Sequence, residues 1–503
     1  MIGLLSASAA GPSLPQGIDT RAVLGAQAPT PEAKLLFDLG VDPNDLPRQR
    51  WALVAPAGPA GDAALEALAP LRERRSAEQG APARVLRLPE GIDEADLLRW
   101  REAVVDDESL PLVERPRYLL LVGDADRLSF GLQRLLSADR FVGRLPSLEP
   151  GALATYADKA LAARPAAPAT IDLFTADDGS LALRLAREGL MKPTEATLAQ
   201  QAEAEATDDP TRAAAGFGDA GLGHLQQIAQ GSRILFTCGH GEGPPPGGWS
   251  QPTTQRERQG ALHFGAEALC AERLGAGTFV SGGLWLNFAC HGAGTPRQSG
   301  YRRWMVDKGL PVELLDACTP QNAGAAFTAG PSAAAIFNPH GPLSIVGHVD
   351  LAFTYSFVSL FGGARGRSSR FAALLRQARR GDRLGVALSA LSQAWVQASV
   401  YLTAALAQEP GSPALRVDQG LLWLLREDIA NFVLLGDPAC RLVESGAPVA
   451  RMDWEQAVLR VLLNPGEAAA LAAAAGRSVK DLQSAAAAYQ RAGRATLGGL
   501  GRR

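Results

Sequence analysis

Disulfide scaffolding is missing from this sequence. Five cysteines, Cys238, Cys270, Cys290, Cys318 and Cys440, are scattered through 503 residues with no CxxC pair. An odd number of widely spaced thiols suits a reducing compartment. No apolar run approaches the length of a membrane span. The amino terminus, Met1-Ile-Gly-Leu-Leu-Ser, has neither a basic n-region nor a long apolar h-region, so no secretory signal is expected. Charged residues make up only 20%, with a net charge of -3. That leaves no basic field for nucleic acid or a membrane surface. These absences together describe a soluble, cytoplasmic protein with no nucleic-acid or membrane partner.

Apolar residues are abundant at 47%, enough for a large core. The length allows two to four domain-sized units. Two apolar runs of strand length stand out because each ends at a reactive residue. One reads Arg233-Ile-Leu-Phe-Thr-Cys-Gly-His240-Gly, the other Leu284-Trp-Leu-Asn-Phe-Ala-Cys290-His-Gly. Side by side in a parallel sheet, His240 and Cys290 emerge together at its carboxyl edge, where chemistry in open α/β sheets collects. A thiol needs a neighbouring base to become a nucleophile, and imidazole is the usual one. The 50-residue interval (290 minus 240) resembles the caspase spacing, with His upstream.

Along the chain, residues 1–48 are a Pro-, Gly- and Ala-rich lead-in. Residues 49–150 alternate strands (from Trp51, Ala83 and Tyr118) with helices, which implies parallel pairing. The Tyr118 strand closes that unit. Residues 151–230 read as a helical and loop connector. Within it, 170–175 is a possible strand and 203–223 a polar, Ala/Gly-rich linker. Residues 231–445 form a second α/β unit containing the His240 and Cys290 strands. There, 241–260 is a long irregular loop, 298–308 a helix and 342–350 a third strand. Residues 446–503 are an Ala-rich helical tail.

An ordered set of segments resembles a known family: Leu119-Leu-Leu-Val-Gly-Asp124-Ala-Asp126, Ser137-Ala-Asp139-Arg-Phe-Val-Gly143, Cys238-Gly-His240-Gly, Ala289-Cys290-His-Gly, and Leu434-Leu-Gly-Asp437-Pro438. The set is similar to the gingipain-type cysteine peptidases, within the wider superfamily of caspases and bacterial CHAT proteases. It extends over roughly residues 50–443. The resemblance implies an α/β, caspase-like (gingipain-type) parallel-sheet sandwich of two adjacent units with a helical carboxyl-terminal part. It implies a cysteine endopeptidase acting through a thioester, with Cys290 as nucleophile, His240 as base and the amides of Gly241 and Cys290 as oxyanion hole. It further implies an acidic S1 residue, placed at Asp139 with Asp350 as its rival, and cleavage after Arg or Lys. The expected partners are a protein or peptide substrate and a regulatory protein, with no cofactor.

Simpler readings stand beside these. Asp124 and Asp126 either orient the histidine or cap the next helix. Asp139 is either an S1 residue or a surface carboxylate paired with Arg140 or Arg144. His348 shares a strand face with Asp350 and is expected to pack. Cys238 is structural, and Asp437 before proline forms a turn. His291, directly after the nucleophile, is expected to face the other side of its strand. No pair of His or Cys residues has common zinc-ligand spacing, so no metal is expected. The alternative functions are an inactive scaffold of the same fold and a partner-activated protease of bacterial defence.

Overall fold

Ten short, mostly apolar runs become the strands of one sheet: β1 Trp51–Pro56, β2 Arg84–Leu88, β3 Tyr118–Val122, β4 Phe141–Leu145, β5 Ile171–Asp177, β6 Thr211–Phe217, β7 Ile234–Cys238, β8 Leu284–Phe288, β9 Ser344–His348 and β10 Phe432–Leu435. Their spatial order is β2-β1-β3-β4-β10-β9-β8-β7-β5-β6. The computed structural model describes residues 7–8, 11–12, 41–163, 169–204, 208–307, 309, 311–321, 324–357, 367–407 and 413–443, with scattered positions between 461 and 487. The chain divides into units 1–443 and 444–503. The second contains the helix Ala468–Ala474, and most of the expected tail lies outside the described residues, as does most of the lead-in.

The fold is α/β, as expected, and every strand pair of this ten-stranded sheet but one is parallel. The exception is β9 with β10, where Ile345 faces Leu435 and His348 faces Phe432. Because β10 runs parallel to β4, the polarity reverses at the β9/β10 pair. The two expected units are therefore halves of a continuous sheet running in opposite directions. Central strands such as β1, β3 and β7 are buried at every position, which is why they read as unbroken apolar runs. One face carries a core shared by both halves, including Trp51, Leu120, Trp285, Ile345 and Leu435. The other face holds separate cores, one per half.

Three segments differ from expectation. The Tyr118 strand does not close the first half, because β4 follows and pairs with it along its length. Its Arg144 hides the strand from hydropathy. That guanidinium is fully buried, donates to Gln133 Oε1 at 2.9 Å and to Gly123 O at 2.9 Å, and lies over the Phe130 ring. Burial pushes it down to about 10. The supposed linker 203–223 contains β6, which pairs with β5 over seven residues and is tied to it by Arg212 on Asp172 at 2.7 Å. The loop 241–260 contains the helix Pro252–Arg258, started by a proline whose missing N–H costs nothing there. Its Gln255, with the following Gln259, is buried and hydrogen-bonded to the Cys318 carbonyl.

The Leu-Gly-Asp-Pro turn after β10 fastens the halves. Asp437 is fully buried and accepts from Trp51 Nε1 at 2.9 Å and Arg75 Nε at 2.8 Å. It is thus a charged hub as well as a turn former. Gly143 permits the close approach, since a Cβ there would fall 2.1 Å from the Gly436 carbonyl oxygen.

Candidate active site

The register of β7 on β8 pairs Ile234 with Leu284 and Cys238 with Phe288, a constant offset of 50 residues. Carried two residues further, the same offset sets His240 beside Cys290. Ile234, Phe236 and Cys238 share one sheet face with Leu284, Leu286 and Phe288. By strand alternation His240 and Cys290 continue on that face. The backbones touch here, because a Cβ on Gly241 would lie 1.9 Å from the Cys290 oxygen. Only glycine allows this contact.

The His240 ring is held from the β5 side. Its Nε2 lies 3.1 Å from Ser180 Oγ and 3.4 Å from Asp178 Oδ2. Ser180 is fixed as the N-cap of the helix Leu181–Ala186, where it accepts from the Leu183 amide. Burial raises the Asp178 carboxyl, but the Ser180 hydroxyl and amide and the nearby His240 outweigh it and hold the group below its ordinary value. A carboxylate at Nε2 favours the tautomer protonated there, which leaves Nδ1 as the free base. Sequence reasoning passed over Asp178 and Ser180. Asp177-Asp-Gly-Ser180 reads as an ordinary turn, and only the placement of β5 beside β7 gives it meaning.

Cys290 is held from the other side. Its Sγ accepts from the Ala352 amide at 3.4 Å and lies 3.6 Å from the Ala352 carbonyl oxygen. Burial pushes the thiol up to about 11; the Ala352 amide works against this, and the charges of Asp428 and Asp350 add to it. The polar contacts of the thiol and of the imidazole are thus made with different segments, Ala352 on one side and Asp178 with Ser180 on the other. The Ala352 segment is fastened by Asp428, which accepts from Phe353 N at 2.9 Å, Ser356 N at 2.9 Å and Ser356 Oγ at 2.8 Å. Among the described residues the Gly241 amide has no acceptor, and the Cys290 amide faces only its own sulfur.

The remaining expected residues fall in different places. His291 is buried and has φ of 55°. Its Nδ1 is 3.4 Å from Thr295 Oγ1, its Nε2 has no partner among the described residues, and burial pushes it down to about 3. Asp350 is buried near Cys290, with its carboxylate accepting from the Gly300 and Leu351 amides; burial raises its pKa. His348 is buried, with Nε2 on the Asp428 carbonyl at 2.9 Å. Asp139 is not brought to the dyad. It pairs with Arg101 and Arg140. It precedes β4, three strand spacings from β8, or about 14 Å. Asp124 and Asp126 follow β3, whose carboxyl end lies at the sheet edge opposite that of β8. Asp124 accepts from Thr328 N and Arg256, and Asp126 pairs with Arg127. Cys238 is buried and raised to about 12 by burial, as befits a structural thiol. Among the described residues no group of three His, Cys, Asp or Glu side chains is arranged to hold a metal, and no helix is long and apolar enough to cross a membrane.

No family model matches the chain, and no curated protein matches it. Three solved structures align with it. One is described as a protease, with a TM-score of 0.44 and 13% identity, covering 78% of each chain. The second is the complex of the pro- and mature domains of Porphyromonas gingivalis RgpB, at 0.43 and 12%, covering 79% of this chain and 80% of that one. The third is the Arg-specific cysteine proteinase gingipain R (RgpB), at 0.39 and 12%, covering 78% of each. These likenesses are distant, and the reading of the site rests on its own geometry.

Proposed function

We propose that the protein is a cysteine endopeptidase. The observation that supports this reading is the β7/β8 register, which pairs Cys238 with Phe288 two residues before His240 and Cys290, while Asp178 and Ser180 lie at Nε2 of the imidazole. In the proposed reaction the Cys290 sulfur bonds to the scissile carbonyl carbon and its proton passes to His240 Nδ1. The amides of Gly241 and Cys290 stabilise the resulting oxyanion. The C–N bond then breaks, and the departing amine takes the proton from His240. Water attacks the thioester and gives up its proton to His240. The acid leaves as the sulfur is reprotonated.

Cleavage after Arg or Lys is part of the proposal. Its support is electrostatic: the buried carboxylates of Asp350 and Asp428 both raise the Cys290 thiol, which is a negative potential of the sign that suits a cationic P1 side chain. A thiol held on Ala352 and raised to about 11 favours a peptidase roused by its substrate or by a regulatory protein. The same held thiol is what an inactive scaffold would retain.

Turnover of fluorogenic peptides with Arg, Lys, Asp or Leu at P1, by wild type and Cys290→Ala, separates these readings. Cleavage after Arg or Lys that vanishes in the variant is the expected result. Cleavage only after Asp or Leu removes the basic P1 preference. Absence of any cleavage, with no labelling of Cys290 by a peptidyl acyloxymethyl ketone, leaves the scaffold.

A further inference from the structure

The two most exposed large hydrophobic side chains among the described residues are Phe217, at 67%, and Leu181, at 65%. Both belong to the rim beside His240. Leu181 directly follows Ser180, whose hydroxyl contacts the imidazole. Phe217 ends β6 and is the register partner of Asp177, the residue before Asp178. Ile171 and Leu173 of β5 lie on the sheet face that also carries Cys238 and Phe288. By alternation Phe217 falls on that same face and at that same edge. Leu185, one helical turn beyond Leu181, is also exposed, at 39%. Apolar side chains left in water at the lip of a catalytic edge mark a place where something apolar docks.

The chemistry fixes which part of a substrate passes there. In acyl transfer to Cys290 the leaving amine receives its proton from His240. The residues on the carboxyl side of the scissile bond must therefore depart over the imidazole, toward Asp178, Ser180 and β6. The acyl portion lies on the opposite side, along the Ala352 segment. Resting on the endopeptidase reading, we infer that Leu181 and Phe217 form a leaving-group subsite that receives apolar side chains one or two residues after the scissile bond. The subsite makes the protein selective on both sides of the cut, with charge on the acyl side and apolar area on the leaving side.

The test uses internally quenched peptides that share one accepted P1 residue and carry either Leu-Phe or Ser-Ser immediately after it, alongside a coumarin amide of the same acyl sequence. Wild type is expected to favour Leu-Phe over Ser-Ser by at least about tenfold in kcat/KM, as suits one or two apolar groups in a pocket. Leu181→Ser and Phe217→Ser are each expected to bring that ratio down severalfold, and the double variant to bring it close to one. Equal kcat/KM for the two peptides in wild type, or an undiminished ratio in the double variant, overturns the subsite while coumarin release leaves the peptidase standing. If wild type cleaves neither the peptides nor the coumarin amide, the peptidase reading falls and the subsite with it.

Discussion

The reactivity of Cys290 follows from its surroundings and can be measured without knowing a substrate. With its thiol raised to about 11, only about one molecule in ten thousand carries the thiolate at pH 7. An ordinary cysteine near 8.5 is about 3% ionised at that pH, so the deficit is about 300-fold. The more basic thiolate is the stronger nucleophile, which returns about tenfold. Alkylation by iodoacetamide should therefore run about thirtyfold slower than for a free thiol at pH 7. It should climb nearly tenfold per pH unit up to about pH 10. Digestion and mass spectrometry of the peptide containing Cys290 separate it from the other thiols, Cys270 above all, which like Cys290 is only partly buried. His240→Ala should leave the profile almost unchanged, because the imidazole bonds to Asp178 and Ser180 and not to the sulfur. A plateau of fast alkylation near pH 6 to 7 that His240→Ala abolishes would refute this reasoning. It would mean that a thiolate–imidazolium pair already exists at rest.

Four further outcomes are expected. Gly241→Ala sets a Cβ 1.9 Å from the Cys290 oxygen, so the strand ends must part by more than 1 Å; displacement of that size should lower peptidase kcat/KM about a hundredfold, measured beside circular dichroism to confirm folding. His291, pushed down to about 3 by burial, is neutral when folded and takes a proton on unfolding below about pH 6.5. The stability it supports is complete above that pH and is lost as pH falls, by about 2 kcal/mol at pH 5; urea titrations should show this loss in wild type and not in His291→Asn, which tolerates the positive φ. Asp437→Asn leaves the buried Arg75 guanidinium with Glu78 as its one remaining carboxylate partner among the described residues and should cost about 3 kcal/mol in chemical denaturation. Ser356→Ala removes a 2.8 Å bond to Asp428 and should cost only about 1 kcal/mol, yet it should speed Cys290 alkylation at pH 7 severalfold by loosening Ala352.

The apolar strands that lead to His240 and Cys290 were legible because a buried parallel strand writes itself as a continuous hydrophobic run. The interval between His240 and Cys290 carried more information than it showed, since it equals the register offset of their strands. Strands β4 and β6 were illegible for opposite reasons. Arg144 places a charge in the middle of a fully buried strand and is satisfied only by groups distant in sequence. The Ala-Ala-Ala-Gly run of β6 has little strand preference of its own. It is held by pairing to β5 and by the Arg212–Asp172 contact. Asp178 was missed because its role depends on the adjacency of β5 and β7, a fact of topology and not of local sequence. Asp139 drew attention by its motif, whereas its carboxylate belongs to an arginine network with Arg101 and Arg140.

Polarity explains why the first half of the sheet opens its loops away from Cys290. Its strands point away from the edge where Cys290 emerges, so the loops after β1 and β3, including Asp124 and Asp126, open at the other edge. What this half contributes is position. Trp51 and Arg75 hold Asp437 at the end of β10, and Arg144 accepts the Gly436 amide on its carbonyl. With its far end anchored, β10 aligns Phe432 with His348. The residues just before it, Asp428 and Asn431, are then set near the sheet edge that leads to Cys290. Asn431 takes the Val349 amide on its carbonyl, and Asp428 grips the segment that holds the thiol. The chain of support thus runs from a buried ion pair in one half, along a single antiparallel strand, to the sulfur in the other. Conservative changes at the Asp437 hub should reach Cys290 through β10.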